Sequence, residues 1–343
     1  CLLAILLVIT IGVVCAAEPA ESIQTVRLGD FQLENGELIR DLTIGYRTLG
    51  ELNAEKSNAI LFPTWFTGTT EDLVNRVIGE GLLDPSTSFV ILVDALGNGI
   101  SSSPSNSASQ PNMQFPRFTI RDMVRSQHKL VTEVIGISHL KAVMGISMGG
   151  MQTFEWVVSY PDFMDKAVPI HGSPRLSSYD LLLWTAEVRA IQNDPAWAGG
   201  EYTSPPLDGM RTVAAINSLA LTTPEFVVEE TDPAMFKDFL VKTEQSIIDG
   251  FDANNWIRQA QAMMGHNIFS RFEGSMKKAA AAVQAEVLIV VGSHDHMVTP
   301  QPSLEFAQHL FAPVLELSSS CGHLSIWCEM NKASPIISQF LKE

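Results

Sequence analysis

In the middle of the chain a serine sits between glycines: Gly145-Ile146-Ser147-Met148-Gly149-Gly150 follows the mostly apolar run 140–144. Glycines two positions either side of a serine mark a sharp strand-to-helix turn that lifts a nucleophilic hydroxyl to the rim of a sheet. Backbone atoms crowd such a turn, so glycines stand where side chains would collide. A serine hydroxyl at neutral pH is a poor nucleophile and needs a base in hydrogen-bond reach. That base in turn needs an acid to fix its tautomer. Enzymes built on this turn keep the chain order serine, acid, histidine. The apolar run 287–291 ends in Gly292-Ser293-His294-Asp295-His296, which puts Asp295 just past the end of a strand. The next strand candidate, 314–318, leads to Ser320-Cys321-Gly322-His323 in the last loop before a C-terminal helix. Ser147, Asp295 and His323 are therefore the expected triad of an acyl-transfer reaction.

Such a reaction also needs donors for the tetrahedral oxyanion, worth a few kcal/mol of barrier. One is expected from the Met148 amide, directly after the nucleophile. The other should come from the loop after an early strand. Residues 58–63 run into Thr64-Trp65-Phe66-Thr67-Gly68, which nominates the Phe66 amide. The other histidines fit the pattern less well. His128, His139 and His309 fall in helical or pre-strand positions. His171 follows a strand but precedes Asp295, which breaks the order. His266 reads either as packing or as lining of a binding pocket. The pair His294-x-His296 has a spacing that can ligate one ion, but no third ligand at suitable spacing accompanies it. No metal and no cofactor is called for.

The elements that must position these residues alternate. Short β-branched runs at 58–63, 88–94, 140–146, 166–171, 286–292 and 314–318 are separated by longer helical stretches, the signature of βαβ units and a mostly parallel sheet. An N-terminal hairpin is expected over 25–52 around Asn35-Gly36, a strong turn signal. Residues 119–136 are amphipathic, with Ile120, Met123, Val124, Leu130, Val131, Val134 and Ile135 at roughly helical spacing. Between 173 and 285 no convincing strand appears, and the stretch is rich in helix formers, Trp and Met. The expected fold is thus α/β, of the α/β-hydrolase type: a mostly parallel central sheet from 18–172 and 286–343, with a helical cap, 173–285, inserted before the strand that bears the acid.

Residues 1–17 are apolar and small throughout, and Cys15-Ala16-Ala17 then meets Glu18. This reads as the apolar core and cleavage site of a secretory signal peptide, with a precursor that begins upstream. An uncleaved anchor is the rival reading, though the stretch falls short of the roughly 20 apolar residues that span a bilayer. A mature protein starting near Glu18, secreted or periplasmic and without stable membrane insertion, is expected. Cys321 and Cys328 then remain, on either side of His323. They are either a disulfide of an oxidising compartment or two buried thiols, and geometry decides between these. The formal net charge is −16, with no run of Lys and Arg, so a nucleic-acid role lacks its electrostatic footprint. The expected partner is a small ester or acyl substrate. No sequence feature sets the oligomeric state, and a homodimer is among the assemblies allowed.

The motifs resemble those of the homoserine O-acetyltransferases of the α/β-hydrolase superfamily. The likeness is carried by Phe115-Pro116-Arg117-Phe118-Thr119-Ile120-Arg121-Asp122-Met123-Val124, by the run from Gly145 to Gln152 with Glu155-Trp156, and by Tyr160-Pro161-Asp162. Asp194-Pro195-x-Trp197, Gly199-Gly200-x-Tyr202 and Phe251-Asp252-x-Asn254 extend it. The resemblance implies a ping-pong reaction in which an acyl-CoA acylates the serine and a hydroxyl then takes the acyl group. Its triad falls on Ser147, Asp295 and His323, and its oxyanion loop on residues 64–68, with Thr64 in place of the usual histidine. Two positions depart from it. The arginine that holds homoserine's carboxylate maps to Ala214, and the aspartate that binds its amino group maps to Leu324. Arg211 and Arg189 are nearby cations, but neither sits at the mapped position. A zwitterion needs both charges met, since a buried unpaired charge costs several kcal/mol. The expectation is an engine kept and a homoserine site lost: an esterase-type acyl hydrolase. The alternatives are an acyltransferase and a non-catalytic binding protein on the same fold.

Overall fold

The computed structural model describes residues 22–343; the apolar stretch 1–17 lies outside them. Among the described residues nine strands form one sheet in the order β1-β2-β4-β3-β5-β6-β8-β9, with β7 also pairing β6. The long hairpin β1 (Gln24–Gln32) and β2 (Leu38–Leu49) is antiparallel and joins β4 (Phe89–Val93) antiparallel. The other pairs, among β3 (Ala59–Pro63), β4, β5 (Leu140–Ile146), β6 (Met164–Ile170), β7 (Glu286–Val287), β8 (Ile289–Gly292) and β9 (Val314–Leu317), are parallel. The chain is an α/β fold of the expected kind.

Both faces of the central strands are buried, which is why they read as nearly continuous apolar runs. Leu61 and Val143 pack into one hydrophobic cluster, while Ile60, Phe62, Ala142 and Met144 pack into another on the opposite face. Helices cover both: α1 (Thr70–Leu73), α2 (Ile120–Lys129), α3 (Met148–Ser159), α10 (Gln301–Leu310), α11 (Ser325–Cys328) and α12 (Met330–Lys342). Between β6 and β7 the chain is helical: α4 (Ser178–Asn193), α5 (Leu207–Leu221), α6 (Pro224–Glu230), α7 (Phe236–Gly250), α8 (Ala253–Met264) and α9 (Met276–Ala282).

Local chemistry sets the ends of these elements. α2 starts in a reciprocal capping box: Thr119 accepts from the Asp122 amide while Asp122 accepts from the Thr119 amide. The helix expected over 119–136 is α-helical only to Lys129. It then widens into a π-type turn, Leu130–Ile135, and stops at Gly136 with φ of 75°. The strand expected over 286–292 is broken in two. The Leu288 amide keeps its ladder bond to the carbonyl of Ala167, but the next donor on β6 would be the amide of Pro169, which has no N–H, so β7 and β8 are separate segments, both paired with β6.

The parallel strands end level, and this brings the loops together. The Ser147 amide donates to the carbonyl of Ile170, that of His171 to Val290, and that of Ser293 to Leu317. Each bond ties the residue after one strand to its neighbour, so the loops after β5, β6, β8 and β9 emerge side by side.

Candidate active site

Ser147 forms the turn between β5 and α3 with φ of 58° and ψ of −120°, a conformation an L-residue adopts only under constraint. Two glycines make it possible. A Cβ on Gly145 would lie 2.3 Å from the carbonyl oxygen of Gly149, and one on Gly149 would lie 2.7 Å from that of Pro63. His323 stands in a short 3-10 turn after β9. Its Nε2 accepts from Ser147 Oγ at 2.9 Å, and its Nδ1 donates to Asp295 Oδ2 at 2.6 Å. The other oxygen of Asp295 accepts from the amides of Met297 and Val298 at 2.8 and 2.9 Å. The buried carboxylate is thus satisfied on both sides and keeps the imidazole with its lone pair toward the serine. The structure brings together the three side chains expected from their order in the chain.

His171, set aside on chain order, lies directly behind them. Its Nδ1 donates to the backbone carbonyl of His323 at 2.8 Å, which leaves Nε2 to accept from Ser325 Oγ at 3.3 Å. Complete burial lowers its pKa to about 4, so this neutral tautomer persists at ordinary pH. Cys321 and Cys328 are joined as a disulfide, which closes the alternative of two thiols and brackets the same loop. His294 and His296, weighed as metal ligands, are both exposed. Ligand-type atoms of His171, Asp295 and His323 lie within 4.8 Å of one another, and these groups are joined into the hydrogen bonds just described.

The loop carrying Phe66 is fixed from several directions. The Thr64 amide donates to Val93, Thr67 to Gln259 Oε1 on α8 at 3.0 Å, and Thr70 to the buried Asp94 at 2.9 Å. Gln152, fully buried on α3, ties this loop to the nucleophile's: its Nε2 donates to the carbonyls of Thr64 at 3.0 Å and Met148 at 3.1 Å. Gln127 holds Gln152 in turn at 2.5 Å and accepts from Trp156 Nε1 at 2.8 Å. Met148 opens α3, so its amide is one of the helix's N-terminal donors without an intrahelical acceptor. Sequence reasoning missed Gln152 although it lies inside the most specific motif, because its partner Thr64 is 88 positions away.

A model of the α/β-hydrolase fold family matches residues 60–329. The chain belongs to that family. Within it, the chain is 34% identical over 320 residues to the ethyl acetate hydrolase of Pseudomonas veronii, covering 89% of this chain and 90% of that protein. It is 32% identical over 356 residues to the homoserine O-acetyltransferase of Pelobacter propionicus, covering 93% and 95%. Among solved structures, an acetylester hydrolase from Corynebacterium glutamicum superposes with a TM-score of 0.85 at 29% identity, covering 94% and 95%. Esterases and acyltransferases of this one fold are therefore both among its relatives.

The cavity over Ser147 has a volume of about 290 Å³, with one wall from the sheet and one from the cap. Trp65, Ile146 and Trp327 face it from the sheet side; Asn217, Leu221, Ile247 and Trp256 face it from α5, α7 and α8. Leu324, next to His323 in the turn after β9, meets these cap residues from the core. Ala214 is fully buried in the cap and does not line the cavity. Neither does Arg189, which is exposed, nor Arg211, which pairs with Asp208 at 3.1 Å and Glu244 at 3.7 Å. Among the described residues the one Lys or Arg in the lining is Arg76, and it is engaged by Glu80 at 3.0 Å and by the face of Trp327, 4.6 Å from the ring centroid. His266 is buried away from this lining, and burial lowers its pKa to about 3.

Behind the cap-side wall lies a carboxyl. Glu187 on α4 is fully buried and accepts from Asn217 Nδ2 and Trp256 Nε1, each at 3.2 Å. Burial raises its pKa to about 8, so near neutrality it carries a proton and brings no negative charge to the cavity.

Proposed function

We propose that the protein is a serine esterase that cleaves esters of short-chain acids through an acyl-enzyme on Ser147. The observation that carries this reading is the apolar wall where the cap meets the turn after His323. Leu221, Ile247 and Leu324 surround the place where a charged acceptor would have to be held. A zwitterion there would leave charges unpaired out of water, whereas a neutral ester loses little. The names of the relatives, hydrolases of ethyl acetate and acetyl esters, support a short acyl group.

The geometry supports an ordinary two-step course. Ser147 Oγ attacks the ester carbonyl carbon while its proton passes to His323 Nε2. The imidazolium so formed is stabilised by Asp295. The carbonyl oxygen, now negative, is received by the amides of Met148 and Phe66. His323 then gives the proton to the alcohol oxygen, the C–O bond breaks and the alcohol leaves. Water repeats the sequence on the acyl-enzyme, delivering one proton to His323 and releasing the acid and the serine hydroxyl.

We further propose that the protein works outside the cytoplasm. The signal-like residues 1–17 and the disulfide Cys321–Cys328 support this, because such bonds persist in oxidising compartments. The competing reading, transfer from acetyl-CoA to homoserine, rests on the transferase relatives. Ala214 and Leu324 cannot make the two charge-assisted bonds that homoserine needs. Each such bond is worth roughly 1.5–3 kcal/mol, and the pair about 10² to 10⁴ in kcat/KM. One preparation should be assayed for ethyl acetate hydrolysis and for homoserine-dependent CoA release. Ready hydrolysis with feeble CoA release is expected. CoA release with kcat/KM above about 10⁴ M⁻¹s⁻¹ would place the protein among the transferases.

A further inference from the structure

His323 must hand its proton to the alcohol oxygen, so the alcohol arm of the ester leaves on the side of His323 and of its neighbour Leu324. Leu324 is shared between two cavities. Together with Asn217, Leu221 and Ile247 it lines the catalytic cavity, and the same four residues line a second cleft of about 370 Å³. That cleft lies among α5, α6 and α7, where Phe226, Val227, Phe239 and Thr243 supply much of its wall. Its one charged lining residue, Lys242, is exposed. On the sheet side the catalytic cavity is bounded by Trp65 and Trp327, whose rings meet edge to face with centroids 6.1 Å apart. The catalytic cavity thus has unlike neighbours: bulky aromatic rings on one side, and on the other a second, mostly apolar cleft that shares Leu324, Leu221, Ile247 and Asn217 with it.

We propose that this cleft is the alcohol subsite, and that the enzyme's substrates are short-acyl esters of unbranched aliphatic alcohols longer than butanol. The inference rests on the esterase reading of Ser147 and adds to it which end of the ester is long. The cleft's occupant is the alkyl chain itself, held by burial of methylenes against Leu221, Phe226, Val227, Phe239, Ile247 and Leu324, which outweigh the Ser and Thr hydroxyls of the same lining in area.

Two series of esters test it with the full-length protein: ethyl, butyl, hexyl and octyl acetate, and the ethyl esters of butanoic, hexanoic and octanoic acids. Each methylene that enters the cleft can raise kcat/KM by up to about fourfold. The acetates should therefore climb by at least about tenfold from ethyl to hexyl, while the ethyl alkanoates fall as the acid lengthens. Thr243→Trp fills the cleft from α7 and should cut the hexyl-to-ethyl acetate preference by about tenfold or more. Val227→Trp does the same from α6 should the first variant fail to fold. A flat or falling acetate series, with ethyl acetate still turned over, overturns the alcohol subsite and leaves the esterase standing. A preference untouched in a folded cleft-filling variant also overturns it. If no ester of either series is cleaved, the esterase reading fails and the subsite with it.

Discussion

The sheet half and the cap half of the site are held by different forces. On the sheet side the polar atoms have directional partners: Ser147 to His323, His323 to Asp295, Asp295 to two amides, and Gln152 to the carbonyls of Thr64 and Met148. On the cap side Leu221, Ile247 and Trp256 offer surface, met by Leu324 from the core, and the polar anchor is the protonated carboxyl of Glu187 behind them. Chemistry at a carbonyl carbon tolerates little displacement, so the half that performs it is cross-braced. Discrimination among neutral esters depends on shape and area, which packing supplies and single substitutions can retune. The two halves should therefore respond to mutation in different ways: in turnover on the sheet side, in selectivity and stability on the cap side.

The sharpest way to break this contrast is at the nucleophile. Ser147→Ala should lower kcat by roughly 10⁵–10⁶ and abolish labelling by a fluorophosphonate, with the melting temperature little changed. Near-normal turnover would mean that the nucleophile lies elsewhere. Gln152→Leu probes bracing without touching the triad. It leaves the carbonyl of Thr64 and the side-chain amide of Gln127 without these partners and removes the side-chain donor to the Met148 carbonyl, which costs about 1–3 kcal/mol of stability. If Gln152 positions the two oxyanion amides, kcat should also fall, by about 10- to 100-fold, with KM nearly unchanged. A stability loss with kcat intact would reduce Gln152 to packing.

The contrast also governs what can be read from the sequence. The three residues brought together at the site can be picked out because their constraints are local: glycines at 145 and 149 that a tight turn demands, and acid and histidine each just past a strand in fixed order. The parallel sheet is equally legible from its apolar runs. The break at Leu288 is not, since its cause is the missing N–H of Pro169 on the neighbouring strand and nothing within residues 286–292 marks it. Spacing leaves the pairing of Cys321 with Cys328 open because it depends on a Cα separation, 6.6 Å, that distance along the chain does not set. Chain order passes over His171 because the rule applies to the base, whereas its role is fixed by a carbonyl 152 positions away. The cap is illegible for a further reason: apolar helices can close over a site in many registers, so composition announces a lid without saying which leucines face inward.

The smallest effect on turnover is expected at the buried acid behind the cap-side wall, where the readout is stability. Glu187 keeps its proton up to about pH 8 in the folded chain, against an ordinary value of 4.5 when unfolded. Below pH 4.5 both states are protonated and the folded state has its full advantage. As pH rises from there, the unfolded chain releases a proton that the folded chain must retain, so stability falls steadily and levels off above about pH 8. At 1.36 kcal/mol per unit the loss amounts to roughly 5 kcal/mol at most. Glu187→Gln cannot ionise and should lose this dependence. Its amide nitrogen cannot accept, so one of the bonds from Asn217 and Trp256 is given up, at a cost of about 1 kcal/mol. The variant should therefore be the less stable protein at pH 4 and the more stable one at pH 9, a crossing that simple loss of packing would not produce. Other buried groups such as His171 and Asp94 titrate in both proteins and cancel in the difference. Urea unfolding of parent and variant at the two pH values measures it, and parallel stabilities would show that Glu187 is ionised in the folded cap.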